Sequence, residues 1–219
     1  MVKIKLTKEV NMYSIAIILE FESDKKAEIE KDIYSEERGF VDFNVLLPCP
    51  QELETQVAGS TEEAGVRVVK NHGQTFDINS ATVRDEIRAF IELHREEEVF
   101  LRDTYCNEKN MESLIDSVIA YQKYGYGNWM DFKISNWGVS QNAFVYEGKK
   151  RSKAGGFYFV SSGSIPVLWL KALSAKWPDV EFKIYATALM DDISRDGYVK
   201  LYIFKGGDYN CAGSVKRKF

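Results

Sequence analysis

The period of apolar and polar positions changes several times along the chain. Met12–Phe21 (MYSIAIILEF) is β-branched and apolar, which predicts a buried strand. Ser23-Asp24 offers a cap for a helix over Lys25–Glu37, and Gly39 offers its end. Phe40–Leu47 (FVDFNVLL) reads as the next strand, stopped by Pro48-Cys49-Pro50 because proline donates nothing to a ladder. Gln51–Gly73 is mixed and polar and predicts a loop with a short helix. Residues 80–101 follow a helical period, with Val83, Ile87, Phe90 or Ile91, and His94 at three- and four-residue steps. Met111, Leu114, Ile115, Val118 and Ile119 mark another helix, ending before Gly125.

After Gly125-Tyr126-Gly127 the pattern becomes strand-like. Trp129–Ile134 sends Met130, Phe132 and Ile134 to one side and Asp131 and Lys133 to the other. A turn at Ser135–Ser140 precedes an extended Asn142–Tyr146, a basic loop Lys149–Lys153 and a strand Phe157–Val160. Ser164 then caps a helix with Pro166 in its first turn, where the missing N–H costs nothing. That helix carries Leu168, Leu170, Ala172, Leu173 and Trp177, and Pro178 closes it. Val180–Thr187 and Tyr198–Phe204 follow as strands joined across Asp191–Gly197, and Lys216-Arg217-Lys218 reads as a frayed basic end. Strand, helix and hairpin make half of a split β-α-β motif. The expected class is α+β: a ferredoxin-like antiparallel sheet with helices on one face in residues 125–219, and an α+β half with a helical insertion in residues 1–124. The two halves could equally form one compact unit.

Charge sharpens this division. The net charge is −4 over 219 residues, yet residues 1–124 hold 15 basic and 25 acidic side chains and residues 125–219 hold 14 and 8. The halves can attract each other, or each can face a partner of opposite sign. The aromatic share of 13% excludes wholesale disorder. No apolar run approaches the roughly 18 residues of a membrane span, and MVKIKLTKEV lacks the apolar core of a secretory signal. Three widely spaced cysteines (Cys49, Cys106, Cys211) argue for reduced thiols and a cytoplasmic location.

Catalytic signatures are missing. The two histidines, His72 in a turn and His94 on a helical stripe, belong to no H-E-x-x-H, and there is no C-x-x-C, P-loop or G-x-S-x-G motif. Gly155-Gly156 precedes a strand, so it reads as a hairpin turn and not a phosphate cradle. Asp191, Asp192 and Asp196 lack calcium-loop spacing and read as turn residues, and Glu96-Glu97-Glu98 reads as a solvated face. The expectation is a non-enzymatic protein with no cofactor and no metal.

The candidate binding surface comes from strand alternation. Val180, Phe182, Ile184 and Ala186, with Val199, Leu201 and Ile203, are expected to face the helix. Lys183, Tyr185, Tyr198, Lys200 and Tyr202 then gather on the outward face, with Lys150, Arg151 and Lys153 in the nearby basic loop. Aromatics interleaved with lysines can stack bases and neutralise phosphates. The competing reading is a tyrosine-lined face covered by the acidic half, with the hydroxyls satisfied there.

One stretch resembles a known family. Asn128-Trp129-Met130-Asp131-Phe132-Lys133-Ile134-Ser135-Asn136-Trp137-Gly138, followed by Asn142-Ala143, is similar to the Trp-Gly and Asn-Ala motif of the Api-type phage and plasmid accessory proteins with a YubB-type ferredoxin-like domain. Ile165-Pro166, Leu173-Ser174 and Trp177-Pro178 are similar in order and spacing, and Phe43–Pro50 resembles that family's strand ending in Pro-x-Pro. The resemblance covers about residues 40–50 and 125–205 and departs at Val139, Ser140 and Gln141, where the family often has a lysine. It implies a ferredoxin-like fold and a mobile-element setting. Trp129, Trp137, Gly138 and Asn142 are read as a structural motif, both tryptophans being expected largely buried because large aromatics lose water contact on folding and here fix the turn before Asn142. The functional expectation is a non-catalytic accessory protein that binds a host protein or complex and so inhibits host defence. The alternatives are a single-stranded nucleic-acid-binding module and a protein that sequesters a small anionic ligand.

Overall fold

A computed structural model of the chain describes residues 14–104, 108–145, 148, 150–152, 155–189 and 198–217. Its elements in order are β1 (Ser14–Glu20), α1 (Lys26–Lys31), β2 (Tyr34–Ser35), β3 (Phe40–Val41), α2 (Phe43–Leu46), α3 (Gln51–Glu54), α4 (Ser60–Asn71), α5 (Val83–His94), α6 (Val99–Thr104), α7 (Glu108–Tyr124) and α8 (Trp129–Trp137). β4 (Phe157–Ser162), α9 (Val167–Lys176), β5 (Phe182–Ala188), β6 (Tyr198–Lys205) and β7 (Asp208–Lys216) complete the chain. The protein is α+β and has two compact units, one of Met1–Pro48 with Ile134–Phe219 and one of Cys49–Lys133. The units do not follow the split at Tyr124. The first draws on both chain ends because β1 is a central strand of its sheet.

That sheet is antiparallel throughout, in the order β4-β1-β5-β6-β7. β4, α9 and β5 form the split β-α-β, and β1 fills the gap between the two strands. The sequence pattern had offered residues 129–134 as a strand of this sheet; they are helical instead, as part of α8. Asn128 makes the difference. Its Oδ1 accepts from Asp131 N at 3.0 Å and its Nδ2 donates to Asp131 Oδ2, a reciprocal cap that starts a helix. The expected strand 40–47 likewise stops at Val41. Asp42 Oδ1 accepts from Asn44 N at 2.9 Å and turns the chain into α2. The 51–73 stretch, expected as a loop with a short helix, holds α3 and the twelve-residue α4, and Asp208–Lys216 form β7, with Lys218 outside the described residues.

Directly opposed residues of an antiparallel pair share a face. One face therefore gathers Phe157 and Phe159, Ile17 and Leu19, Phe182 and Ile184, and Phe204, all buried. It takes α9, whose Trp169, Leu170 and Leu173 are fully buried. The Phe43 ring lies 5.9 Å from Phe159 and 4.9 Å from Trp169. The other face is not open either. Ala16, Ile18, Tyr158 and Val160 form a second buried cluster, with Phe144, Tyr185 and Leu189 packed against it.

The second unit is helical. Ala64, Val68 and Val69 of α4, Ile87 and Ile91 of α5, and Leu114, Ile115 and Val118 of α7 make its core. Gly65 permits the approach of α4 to α7, since a Cβ there would stand 2.6 Å from Leu114 Cγ. Across the facing surfaces of α5 and α7, Arg88 reaches Glu108 and Glu112, each at 2.6 Å, and Arg84 reaches Asp116 at 2.6 Å and also Glu112.

Candidate functional site

The tryptophan-rich motif builds a scaffold. Trp137 is fully buried, donates from Nε1 to Leu47 O at 2.9 Å and meets Phe43 edge-on at 5.6 Å. Gly138 follows with φ +82°, the left-handed step that closes α8, and its N–H bonds Ile134 O at 3.0 Å. Asn142 ties two distant segments. Its Oδ1 accepts from Phe43 N at 2.9 Å and Ala143 N at 2.8 Å, while its Nδ2 donates to Asp42 Oδ1 at 2.6 Å. Trp129 differs from Trp137: it is only half-buried, with Lys133 Nζ 5.0 Å from its ring centroid.

The five strand residues proposed for one outward face do not share it. In the ladder Lys183 opposes Ile203 and Tyr185 opposes Leu201, whereas Tyr202 opposes Ile184 and Lys200 opposes Ala186. Lys183 and Tyr185 therefore lie on the face of Val199, Leu201 and Ile203. Tyr198, Lys200 and Tyr202 lie on the face that carries α9. Alternation misled because both sheet faces bury apolar residues, so an apolar position alone does not tell which face it joins.

The Lys183–Tyr185 side forms a cleft of about 550 Å³ that also includes Lys26 and Arg151. Four carboxylates, Glu20, Glu22, Glu30 and Glu181, line it against those three cations. Arg151 bonds Glu30 at 3.3 Å and lies over the Phe157 ring, and Lys183 pairs with Glu181 at 3.7 Å. Tyr185 has the Arg217 guanidinium 3.7 Å from its ring centroid, and Arg217 also pairs with Glu20. On that side guanidinium groups already lie over the Tyr185 and Phe157 rings where a base would stack, and a phosphate meets a carboxylate-rich wall. Lys150 is exposed and uses its carbonyl to bond Tyr158 N at 3.0 Å; Lys153 and the aspartates 191, 192 and 196 lie outside the described residues.

The Tyr198–Lys200–Tyr202 side forms a different cleft, of about 520 Å³. Ile15, Ile165, Ala186 and Ala188 supply its apolar lining, and Ser164 and Ser214 contribute hydroxyls. Tyr198 is 58% exposed. Among the described residues Lys200 makes no ion pair, so its charge is available to a partner. β7, exposed along nearly its whole length, forms the sheet edge beside it.

Three participants escaped sequence reading. Arg217 reaches Glu20 across nearly the whole chain length, and no local pattern signals such a pair. β7 follows the Gly206-Gly207 turn, which was the available hairpin signal. His72, His94 and Glu97 meet in the helical unit, 25 residues apart at their extremes. Among the described residues no helix is long and apolar enough to cross a membrane.

No family model and no curated protein matches the chain. Among solved structures it is similar to the crystal structure of protein api92 from Yersinia pseudotuberculosis, of family DUF1281. Identity is 10%, the match covers 95% of this chain and 99% of that one, and the TM-score is 0.35.

Proposed function

We propose that this is a non-catalytic accessory protein of a mobile genetic element that binds a host protein through the Tyr198–Lys200–Tyr202 cleft. The observation that supports the reading is that cleft's makeup: an open, largely apolar hollow of about 520 Å³ with one exposed tyrosine and a lysine that makes no ion pair among the described residues. Aromatic anchors surrounded by polar groups are the composition of a protein-binding surface. The mobile-element setting comes from the sequence resemblance around Trp137-Gly138 and Asn142-Ala143. Inhibition of a host defence complex is the consequence proposed for occupying such a partner.

The test uses the full-length protein as bait in bacterial host lysate, with and without nuclease. The expected result is a nuclease-resistant partner that Tyr198→Ala/Lys200→Glu no longer retains while keeping its circular dichroism. Capture that nuclease abolishes, with salt-sensitive binding of labelled single-stranded DNA or RNA by anisotropy, would instead establish a nucleic-acid module.

A further inference from the structure

We infer that His72, His94 and Glu97 form a binding site for a divalent transition-metal ion, with Zn²⁺ the best-fitting one. His72 is the C-cap residue of α4, His94 is the last residue of α5, and Glu97 ends the 3₁₀ turn Arg95–Glu97 that follows. His72 Nε2 lies 2.9 Å from one Glu97 oxygen and His94 Nδ1 lies 2.6 Å from the other. One donor atom from each of the three residues falls within 4.8 Å of the others. Around a tetrahedral ion with bonds of about 2.0–2.1 Å, donors stand roughly 3.3 Å apart. Side-chain rotation of an ångström or so closes the set, and the ion takes the place that bridging protons hold between the carboxylate and the rings.

Three further features favour a cation here. Two imidazoles and one carboxylate are a donor set that suits zinc and leaves a coordination position open. The C-termini of two twelve-residue helices converge on the site, and each presents its partial negative charge to it. The rings are also held in place. The His72 and His94 centroids are 4.0 Å apart, and Phe90 lies 5.8 Å from His72 and 4.5 Å from His94. Phe76 supports Phe90 from behind at 5.8 Å. Glu97 is singled out within the Glu96-Glu97-Glu98 run: Glu98 pairs with Arg67 at 3.1 Å and Glu96 with Arg95 at 3.3 Å.

The experiment titrates the full-length protein with Zn²⁺ against a chromophoric chelator, after its thiols are blocked with N-ethylmaleimide because thiolates compete for the same metals. Co²⁺ serves as a second probe through its visible ligand-field absorption. The expected result is one equivalent bound. His72→Gln, His94→Gln and Glu97→Gln should each weaken binding by at least the roughly 10–100-fold that supporting residues of metal sites command. Glu96→Gln, which removes the same charge one residue away, should bind like the parent. If His94→Gln loses helical circular dichroism, the more exposed His72 decides. Affinity unchanged in the folded His72 and Glu97 variants, or lost equally in Glu96→Gln, would overturn the site.

Discussion

Asn142 bonds Phe43 and Asp42, which lie 99 and 100 positions away from it in sequence. Its amide must accept from Phe43 N and Ala143 N while donating to Asp42 Oδ1 at 2.6 Å. Only an amide supplies both functions there. Asn142→Ala should cost about 1–3 kcal/mol in urea unfolding, because it strands the backbone N–H of Phe43. Asn142→Asp should cost more, since it replaces a donor with a carboxylate facing Asp42. A variant as stable as the parent would show that water replaces the amide. Cys49 gives a second test. Burial, then the neighbouring Glu54, pushes its thiol from 9.0 up to about 11, against a smaller opposing effect of Lys133. At pH 8 such a thiol is thiolate about a hundredfold less often than one at 9.0. Peptide mapping after brief N-ethylmaleimide treatment should find the exposed Cys211 labelled well before Cys49. Equal labelling would refute the shift. At this scale a tryptophan beside a glycine is legible as scaffold, and Trp137 is fully buried. The partner of Arg217 is not legible, because Glu20 is 197 positions away.

At the level of elements, periodicity served long segments and failed short ones. α5 and α7 repeat their apolar positions over several turns, so their existence is written in the chain. Trp129–Trp137 spans only nine residues and mixes apolar and polar positions without a clear helical stripe, so six of its residues fit alternation equally well. The signal that separates the readings is the cap, Asn128 three residues before Asp131. Asp42 plays the same part ahead of α2. Strand existence was similarly readable for β5 and β6, but not which face each residue joins. That depends on the register Phe182 to Phe204 and on a second cluster around Tyr158 and Val160, both fixed by long-range pairing. Helix packing offers its own test at Gly65. Alanine there gains about 1 kcal/mol of helix propensity. Its Cβ would however meet three Leu114 side-chain atoms at 2.6–2.9 Å, and Leu114 is 1% exposed with no room to retreat. Overpacking of this kind costs about 1–3 kcal/mol, so Gly65→Ala should lower the melting temperature. Gly65→Ala with Leu114→Ala should recover part of the loss, which a pure propensity effect would not.

At the level of the whole molecule, the charge boundary and the structural boundary are different lines. The inserted unit Cys49–Lys133 holds nine basic and sixteen acidic residues, and the unit built from the two chain ends holds twenty and seventeen. The acidity seen in residues 1–124 is therefore mostly that of a helical insertion, not of an independent N-terminal domain. Residues 125–219 look self-sufficient in sequence, with a split β-α-β, a hairpin and their own basic charge. The ladder contradicts this. β1 pairs with β4 from Ser14 to Leu19 and with β5 from Ile15 to Glu20, so both strands depend on it for their inner hydrogen bonds. It also places Ile17 and Leu19 on the face that carries α9, and Ala16 and Ile18 on the other, all at most 1% exposed. Removing it strands backbone donors and acceptors along two strands and opens both cores at once. A fragment of residues 125–219 should show no cooperative thermal transition by far-UV circular dichroism, whereas the full chain should. Adding a peptide of residues 1–48 should restore a transition, because it returns β1 together with Phe43 and Leu47, the residues that anchor Trp169 and Trp137. A fragment 125–219 that melts cooperatively by itself, with a strand-type spectrum, would mean that the sheet closes without its central strand and that this account of the fold is wrong.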